Sequence, residues 1–198
     1  MTVAGVIIAG GRSSRMGGGE KIFAQVGDGN ILGHIVDRMA SQVGRLAINA
    51  NGDAARFAST GLDVIADLPG DAETPLAGLR AALRWTAGNG FDSLITVPSD
   101  TPFLPRDLLA RLAAAGQKAA IAASGGQDHY LTGLWAVSMN GALDNAIREA
   151  PMFRVKDWAK LAAAAKVEWP DRPFDPFFNV NTPDDLAEAR RIAAEFGV

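Results

Sequence analysis

Arg15 and Lys21 flank a run of three glycines, Gly17-Gly18-Gly19, in a stretch that begins at Ala9-Gly10-Gly11. Six of the first nineteen residues are glycine, so the backbone here can turn through positive φ and bring its N–H groups close to a bound phosphate. Two bases interleaved with such a loop suit a polyphosphate. The spacing is not that of a P-loop, because Gly17-Gly18-Gly19 lead into Glu20 and not into Lys-Ser, and it does not fit the G-x-G-x-x-G dinucleotide fingerprint. The plain alternative is a flexible turn carrying solvated charges. The position of the loop directly after an apolar run, Val3 to Ala9, favours phosphate binding.

A second chemical feature is Asp100, which follows the apolar run Ser93 to Val97 in Pro98-Ser99-Asp100-Thr101-Pro102. An acid just past the end of a central strand is placed to hold Mg²⁺ against the phosphates of a nucleotide, since that ion takes one or two protein carboxylates and keeps several waters. The competing reading is an Asx-turn or helix cap, which Asp-Thr-Pro favours by itself. The chain has no cysteine and two histidines, so thiolate metal sites and disulfides are excluded, and oxygen ligands for a hard ion are expected. No Ser-His-Asp or Cys-His arrangement is legible. The chemistry these residues suit is positioning and charge neutralisation, with no protein nucleophile.

The elements that must hold these groups are short apolar strands alternating with Ala/Leu-rich helical stretches. Strands are expected at Val3–Ala9, Leu46–Ala50, Val64–Ala66, Ser93–Val97 and Ala119–Ala123, with a further one at Leu131–Val137. Helices are expected at 31–43, 76–87, 105–115 (opened by Pro105), 139–149 and 154–164. A last helix starts at Thr182-Pro183-Asp184-Asp185, which supplies an N-cap, an N1 proline and first-turn acids. Strands apolar on both faces and alternating with helices predict an α/β fold, a mostly parallel sheet with helices on both faces. Its 198 residues fit one domain, with residues 124–180 less regular and suited to an acceptor-binding elaboration.

Residues Ile8-Ala9-Gly10-Gly11, Ser13, Arg15-Met16-Gly17 and Lys21 resemble the signature L-A-G-G-x-S-x-R-M-G-x-D-K of the molybdenum cofactor guanylyltransferases, within the nucleotide-diphospho-sugar transferase-like folds. Ile8 stands for Leu, and Gly19-Glu20 for a residue plus Asp. Pro98 to Pro105 is similar to the family's P-x-D-T-P-F/Y-L/I-P, whose Asp is the metal ligand. Asn49-Ala50-Asn51 resembles N-A-N, Val64 to Asp67 resembles V-I-x-D, and Thr74 to Leu79 resembles G-P-L-A-G-[LM] with Thr74 for Gly. Phe178 to Leu186 resembles F-x-N-[VI]-N-T-P-E-D-L. The matches span residues 3 to about 190 and are sparse from 124 to 175, where His129-Tyr130 stands in place of an H-P pair.

The resemblance implies a three-layer Rossmann-like nucleotidyltransferase fold, with residues 1–105 binding the nucleotide and 106–198 the acceptor. It implies Arg15, Lys21 and Asp100 as catalytic residues, with Asp100 on Mg²⁺. It implies Ile8, Ala9, Gly10, Gly11, Lys21, Asn49, Asp67, Leu76, Gly78 and Asp100 around GTP, and Asn179 and Asn181 at a molybdopterin-type acceptor. Loop asparagines and aspartates also cap and turn on their own account. His129 is either a group near the acceptor phosphate or a solvated loop residue. His34, inside a helix, reads as structural. The four tryptophans read as packing residues, with Trp135 a candidate for the pterin side.

Gly10 and Pro75-Leu76-Ala77-Gly78 favour guanine over the cytidylyltransferases of molybdopterin, which usually read A-A-G at the loop. A non-catalytic cofactor carrier is the rival of another class, and the retained Arg15, Lys21 and Asp100 argue against it. The formal charge of −3 and the absence of a Lys/Arg-rich run disfavour a nucleic-acid partner. The opening lacks the features of a signal peptide or membrane span, so the cytoplasm is expected. Transient contacts with other cofactor-biosynthesis proteins or apo-molybdoenzymes fit this reading.

Overall fold

The computed structural model describes residues 1–10, 21–72, 74–149 and 154–198. The first strand, β1 (Val3–Ile8), is buried at every position, and the reason lies in its alternation. Val3 and Ile7 face one hydrophobic core, whereas Val6 and Ile8 face another. Around it the chain forms β2 (Gln25–Val26), β3 (Gly29–Asn30), α1 (Ile31–Ala40), β4 (Arg45–Asn49), a 3-10 segment at Ala54–Thr60, β5 (Asp63–Ile65), α2 (Pro75–Gly88) and β6 (Ser93–Pro98). It continues through α3 (Leu108–Ala114), β7 (Ala119–Ser124), β8 (Gln127–Ala136), a 3-10 turn at Val137–Met139, α4 (Asn140–Glu149), α5 (Val155–Leu161), β9 (Ala165–Trp169) and α6 (Pro183–Phe196).

Seven strands form one sheet in the order β5-β4-β1-β6-β8-β7-β9, with β2 and β3 paired separately. The pairings β1·β4, β1·β6, β4·β5 and β7·β9 are parallel, whereas β8 is antiparallel to both its neighbours. Helices α1, α3 and α6 pack on one face through Ile31, Ile35, Leu108, Leu112, Ala189 and Ile192. Helices α2, α4 and α5 cover the other through Leu76, Leu79, Leu83, Leu143, Val155 and Trp158. This is the expected mostly parallel, three-layer arrangement. Because the chain moves outward from β1 to β4 and β5 and then returns to β6 on the other side of β1, a topological switch point lies between β1 and β6. Open α/β sheets bind ligands at the carboxyl ends of such strands.

Local signals explain the helix starts. Asn30 caps α1 by accepting from the Gly33 N–H at 2.7 Å. Thr74 caps α2 ahead of Pro75, and Thr182 and Asp185 form a reciprocal capping box at α6 ahead of Pro183. Pro105 does not open a helix: α3 begins three residues later. Asp107 makes no cap bond to α3, because its carboxylate accepts from Trp169 Nε1 at 3.2 Å.

Two further departures lie in the C-terminal half. The strand expected over 131–137 is the ten-residue β8, joined to β7 through Gly125-Gly126, both at positive φ as a tight hairpin of right twist requires. The edge strand β9 lies inside the 124–180 stretch that read as less regular, and the helix expected over 154–164 ahead of it stops at Leu161. Ala165-Lys166-Val167-Glu168-Trp169 alternates in burial, but its Ala, Lys and Glu carry little strand propensity. Among the described residues no helix is long and apolar enough to cross a membrane.

Candidate active site

The exits of β1 and β6 meet at the switch point. Ala9 donates its N–H to Asn49 O at 2.8 Å, and Ser99 donates to Ile8 O at 3.2 Å, so the exits of β4, β1 and β6 are laced together. Two groups of polar residues are built on these exits.

The first group lies on the β4–β5 side. Asn49 is fully buried and donates from Nδ2 to Asp67 Oδ1 at 2.9 Å and to Ile65 O at 3.1 Å. Asn51 Nδ2 donates to Asp67 Oδ2 at 2.8 Å, and the Asp67 N–H returns a bond to Asn51 Oδ1 at 3.0 Å. Asn49 Oδ1 is buried without a hydrogen-bond partner among the described residues. It packs against Gly78 so closely that a Cβ there would lie 2.3 Å away, whereas one on Gly10 would lie 3.4 Å away. Glycine at 78 is therefore a steric requirement of the Asn49 side chain. The side chains of Leu76 and Ile8 are buried in the second core, which leaves only their backbone for a ligand.

The second group lies on the β6 side. Lys21 Nζ donates to Asn181 Oδ1 at 3.0 Å. Burial holds the Lys21 ammonium below the ordinary lysine range, and the Asp100 and Asp185 carboxylates oppose that shift. Asp100 is affected in the opposite sense: burial raises its carboxyl above the usual range, opposed by Lys21 and by its own backbone N–H. Val180 donates its N–H to Asp100 O at 2.9 Å, which pins the Asn179–Asn181 segment to the β6 exit. Residues some eighty positions apart on either side thus come to Asp100.

Asp100 and Asn179 line a cleft of about 350 Å³ together with Thr101, Gln127, Asp128, His129 and Tyr130 and neighbouring β8 residues. The β8 side is shaped by an irregularity: Ile121 pairs with Gly133 but Ala122 pairs with His129, so Tyr130, Leu131 and Thr132 bulge out of register into the cleft wall. Gln127 to Tyr130, in the stretch that read as less regular, are strand residues, and no spacing in the sequence announced the bulge. Ser124 and Asp175, which hydrogen-bond behind this wall, carried no motif. Among the described residues no three histidine, aspartate or glutamate side chains converge to hold a metal unaided.

Several expected positions fall differently. Gly11 and Arg15 lie outside the described residues, as does Glu20. Trp135 does not face the cleft: it is fully buried in the second core and donates from Nε1 to Thr96 Oγ1 at 3.0 Å. His34 is structural as read, with Nε2 2.7 Å from Val26 O.

Residues 5–164 match the model of the MobA-like NTP transferase domain. A molybdenum cofactor guanylyltransferase of Nitrobacter hamburgensis is 44% identical over 196 residues, covering 96% of this chain and 94% of that protein. One from Cereibacter sphaeroides is 42% identical over 193 residues and 97% of both chains. Among solved structures, the molybdopterin-guanine dinucleotide biosynthesis protein A of Archaeoglobus fulgidus superposes with a TM-score of 0.71 at 26% identity, over 99% of this chain and all of that one. Full-length similarity of this order, together with the crevice just described, assigns the chain: it belongs to the molybdenum cofactor guanylyltransferases, a family of MobA-like nucleotidyltransferases.

Proposed function

We propose that the chain transfers GMP from GTP to the phosphate of molybdenum-molybdopterin, with pyrophosphate as leaving group. The observation that carries this reading is the convergence of Lys21, Asp100, Asn179 and Asn181 beside a polar cleft at the switch point, in a chain whose relatives are named guanylyltransferases of that cofactor. The base and ribose of GTP lie against the Asn49–Asn51–Asp67 group, Gly10 and Gly78, and the acceptor lies in the cleft past Asp100 and Asn179. The division of labour places nucleotide binding in roughly residues 1–105 and acceptor binding in 106–198.

Lys21 neutralises the triphosphate, its ammonium aimed by Asn181. Arg15 and Gly11, in the glycine loop, add charge and backbone N–H groups to the same phosphates. Asp100 is a half-buried carboxylate whose opposing charge is Lys21, and a donor set of this kind, one carboxylate plus phosphate oxygens and waters, suits Mg²⁺. When bound by Asp100, that ion supplies charge neutralisation at the reacting phosphates. The acceptor's oxygen attacks the α-phosphorus, and the protein's share is to hold the two phosphates in line.

Calorimetric titration with GTP, CTP, ATP and UTP tests the assignment. Selective GTP binding supports it. Preference for CTP moves the chain to a cytidylyltransferase on the same fold, and no nucleotide binding in the presence of acceptor removes the catalytic reading.

A further inference from the structure

The cleft contains a hydrogen-bonded series that the reaction as described leaves unused. Ser124, at the end of β7 and 1% exposed, donates its Oγ–H to Asp175 Oδ1 at 2.8 Å, and that same oxygen also accepts from the Phe177 N–H at 2.9 Å. His129 Nε2 lies 2.7 Å from Ser124 Oγ. The serine has one proton and gives it to the carboxylate, so its oxygen is left to accept, and Nε2 must be the nitrogen that carries hydrogen. Phe177 fixes the ring from the side, with centroids 4.6 Å apart. His129 lines the cleft. With Nε2 committed to Ser124, Nδ1 is the nitrogen available to a ligand, as a bare acceptor in the neutral ring.

We propose that His129 is the residue that meets the acceptor's phosphate, taking a proton from it through Nδ1, with Ser124 and Asp175 as positioning residues that fix the ring and its tautomer. This rests on the reading that the acceptor occupies the cleft. A phosphate monoester loses its second proton near a pKa of about 6, so part of the acceptor arrives as the monoanion. In that form the phosphate O–H bond breaks and its proton passes to Nδ1. The freed oxygen forms a bond to the α-phosphorus of GTP, the bond from that phosphorus to the β-bridging oxygen breaks, and pyrophosphate leaves with the electron pair. The charge gained by the ring is opposed by Asp175 through Ser124.

The other charged and titratable groups around the ring are Asp128 beside it, Glu168 on β9, and Asp100 and Tyr130 in the same cleft wall. Asp128 is matched by Lys166 at 2.8 Å and by Tyr130 Oη at 2.8 Å. Burial lowers the His129 pKa, opposed by Asp175, Asp128 and Glu168, which keeps the ring neutral and able to accept at pH 7.

The test is kcat/KM for molybdopterin from pH 5 to 8 in the full-length wild type and in His129→Gln, with GTP affinity measured alongside. The proposal expects unchanged GTP affinity, a small loss at pH 8, where the acceptor is the dianion, and a loss of about tenfold or more by pH 6. That loss should widen as pH falls through about 6, where the monoanion takes over, and level off below the ring's own pKa. A loss that stays constant across pH overturns the proton role, as does a variant within twofold of wild type at pH 6 or one that loses GTP binding. Independently of any variant, the chain has two histidines, so nitrogen-15 spectra of the wild type read the tautomer directly. An Nε2–H ring at His129 supports the proposal, and an Nδ1–H ring overturns it. If the wild type makes no dinucleotide from molybdopterin, the parent reading has failed instead.

Discussion

On the β4–β5 side of the crevice, Asn49, Asn51 and Asp67 are closed into one hydrogen-bonded group, and Gly78 is shaped around the buried Asn49 amide. On the β6 side, Lys21 and Asp100 are each shifted by burial toward the neutral form, and Asn179 and His129 line an open cleft. Apart from the unpartnered Asn49 Oδ1, the first side has made its hydrogen bonds before a ligand arrives and acts as a shaped wall. The second holds charge at a free-energy cost that a triphosphate and its counterion would relieve. In such a design, stability should reside in the wall and reactivity in the cleft.

The sharpest way to break that comparison is Asp100→Asn. Turnover should fall by about a thousandfold, roughly 4 kcal/mol of transition-state stabilisation, with GTP affinity nearly kept. The same variant should be no less stable than wild type at pH 7. Because burial raises the folded-state pKa of Asp100, the folded protein binds that proton more tightly than the unfolded chain. The resulting stability is full below the unfolded value and is lost as pH rises through the folded one. Calorimetric melting should therefore place the variant at or above wild type at neutral pH, with the gap closing toward pH 4. A variant that melts well below wild type would mean that Asp100 is structural.

Gly78→Ala probes the wall. A Cβ 2.3 Å from Asn49 Oδ1 must displace that amide, and overpacking of this kind costs about 1–3 kcal/mol. Denaturant melts should show the loss, and GTP titration a weaker affinity. In an Asn49→Ala background the added cost of Gly78→Ala should shrink, because the clashing atom is gone. Equal costs in both backgrounds would dissociate Gly78 from Asn49.

Asn179→Ala should raise KM for the acceptor about tenfold, near 1.4 kcal/mol, without changing GTP affinity or melting temperature. An effect on GTP instead would move Asn179 to the nucleotide side. Thr182→Ala, which removes half of the α6 capping box, should cost about 1 kcal/mol in stability and leave kinetics alone. A kinetic effect would show that α6 helps to set the Asn181–Lys21 contact.

The wall and the β6 exit were the legible parts of the sequence. Strands β1, β4 and β6 are continuous apolar runs, and the motifs after them sit where the switch-point geometry places ligands. The α6 start could be read from Thr182, Pro183 and Asp185 because a capping box is a local device. The cleft's far wall could not. Asp175 reaches Ser124 across some fifty positions, and the β8 bulge that presents Tyr130 arises from pairing with β7, not from any local pattern. The Gly125-Gly126 turn was the available signal for the hairpin, and reading it would have made a strand of Gln127 to Tyr130.

The central claim is tested most directly by giving the enzyme molybdopterin, Mg²⁺ and equal concentrations of GTP, CTP, ATP and UTP, and identifying the product by mass. The account predicts the guanine dinucleotide, formed with one pyrophosphate per product. A cytosine dinucleotide, or nucleotide bound with no transfer at all, would contradict it.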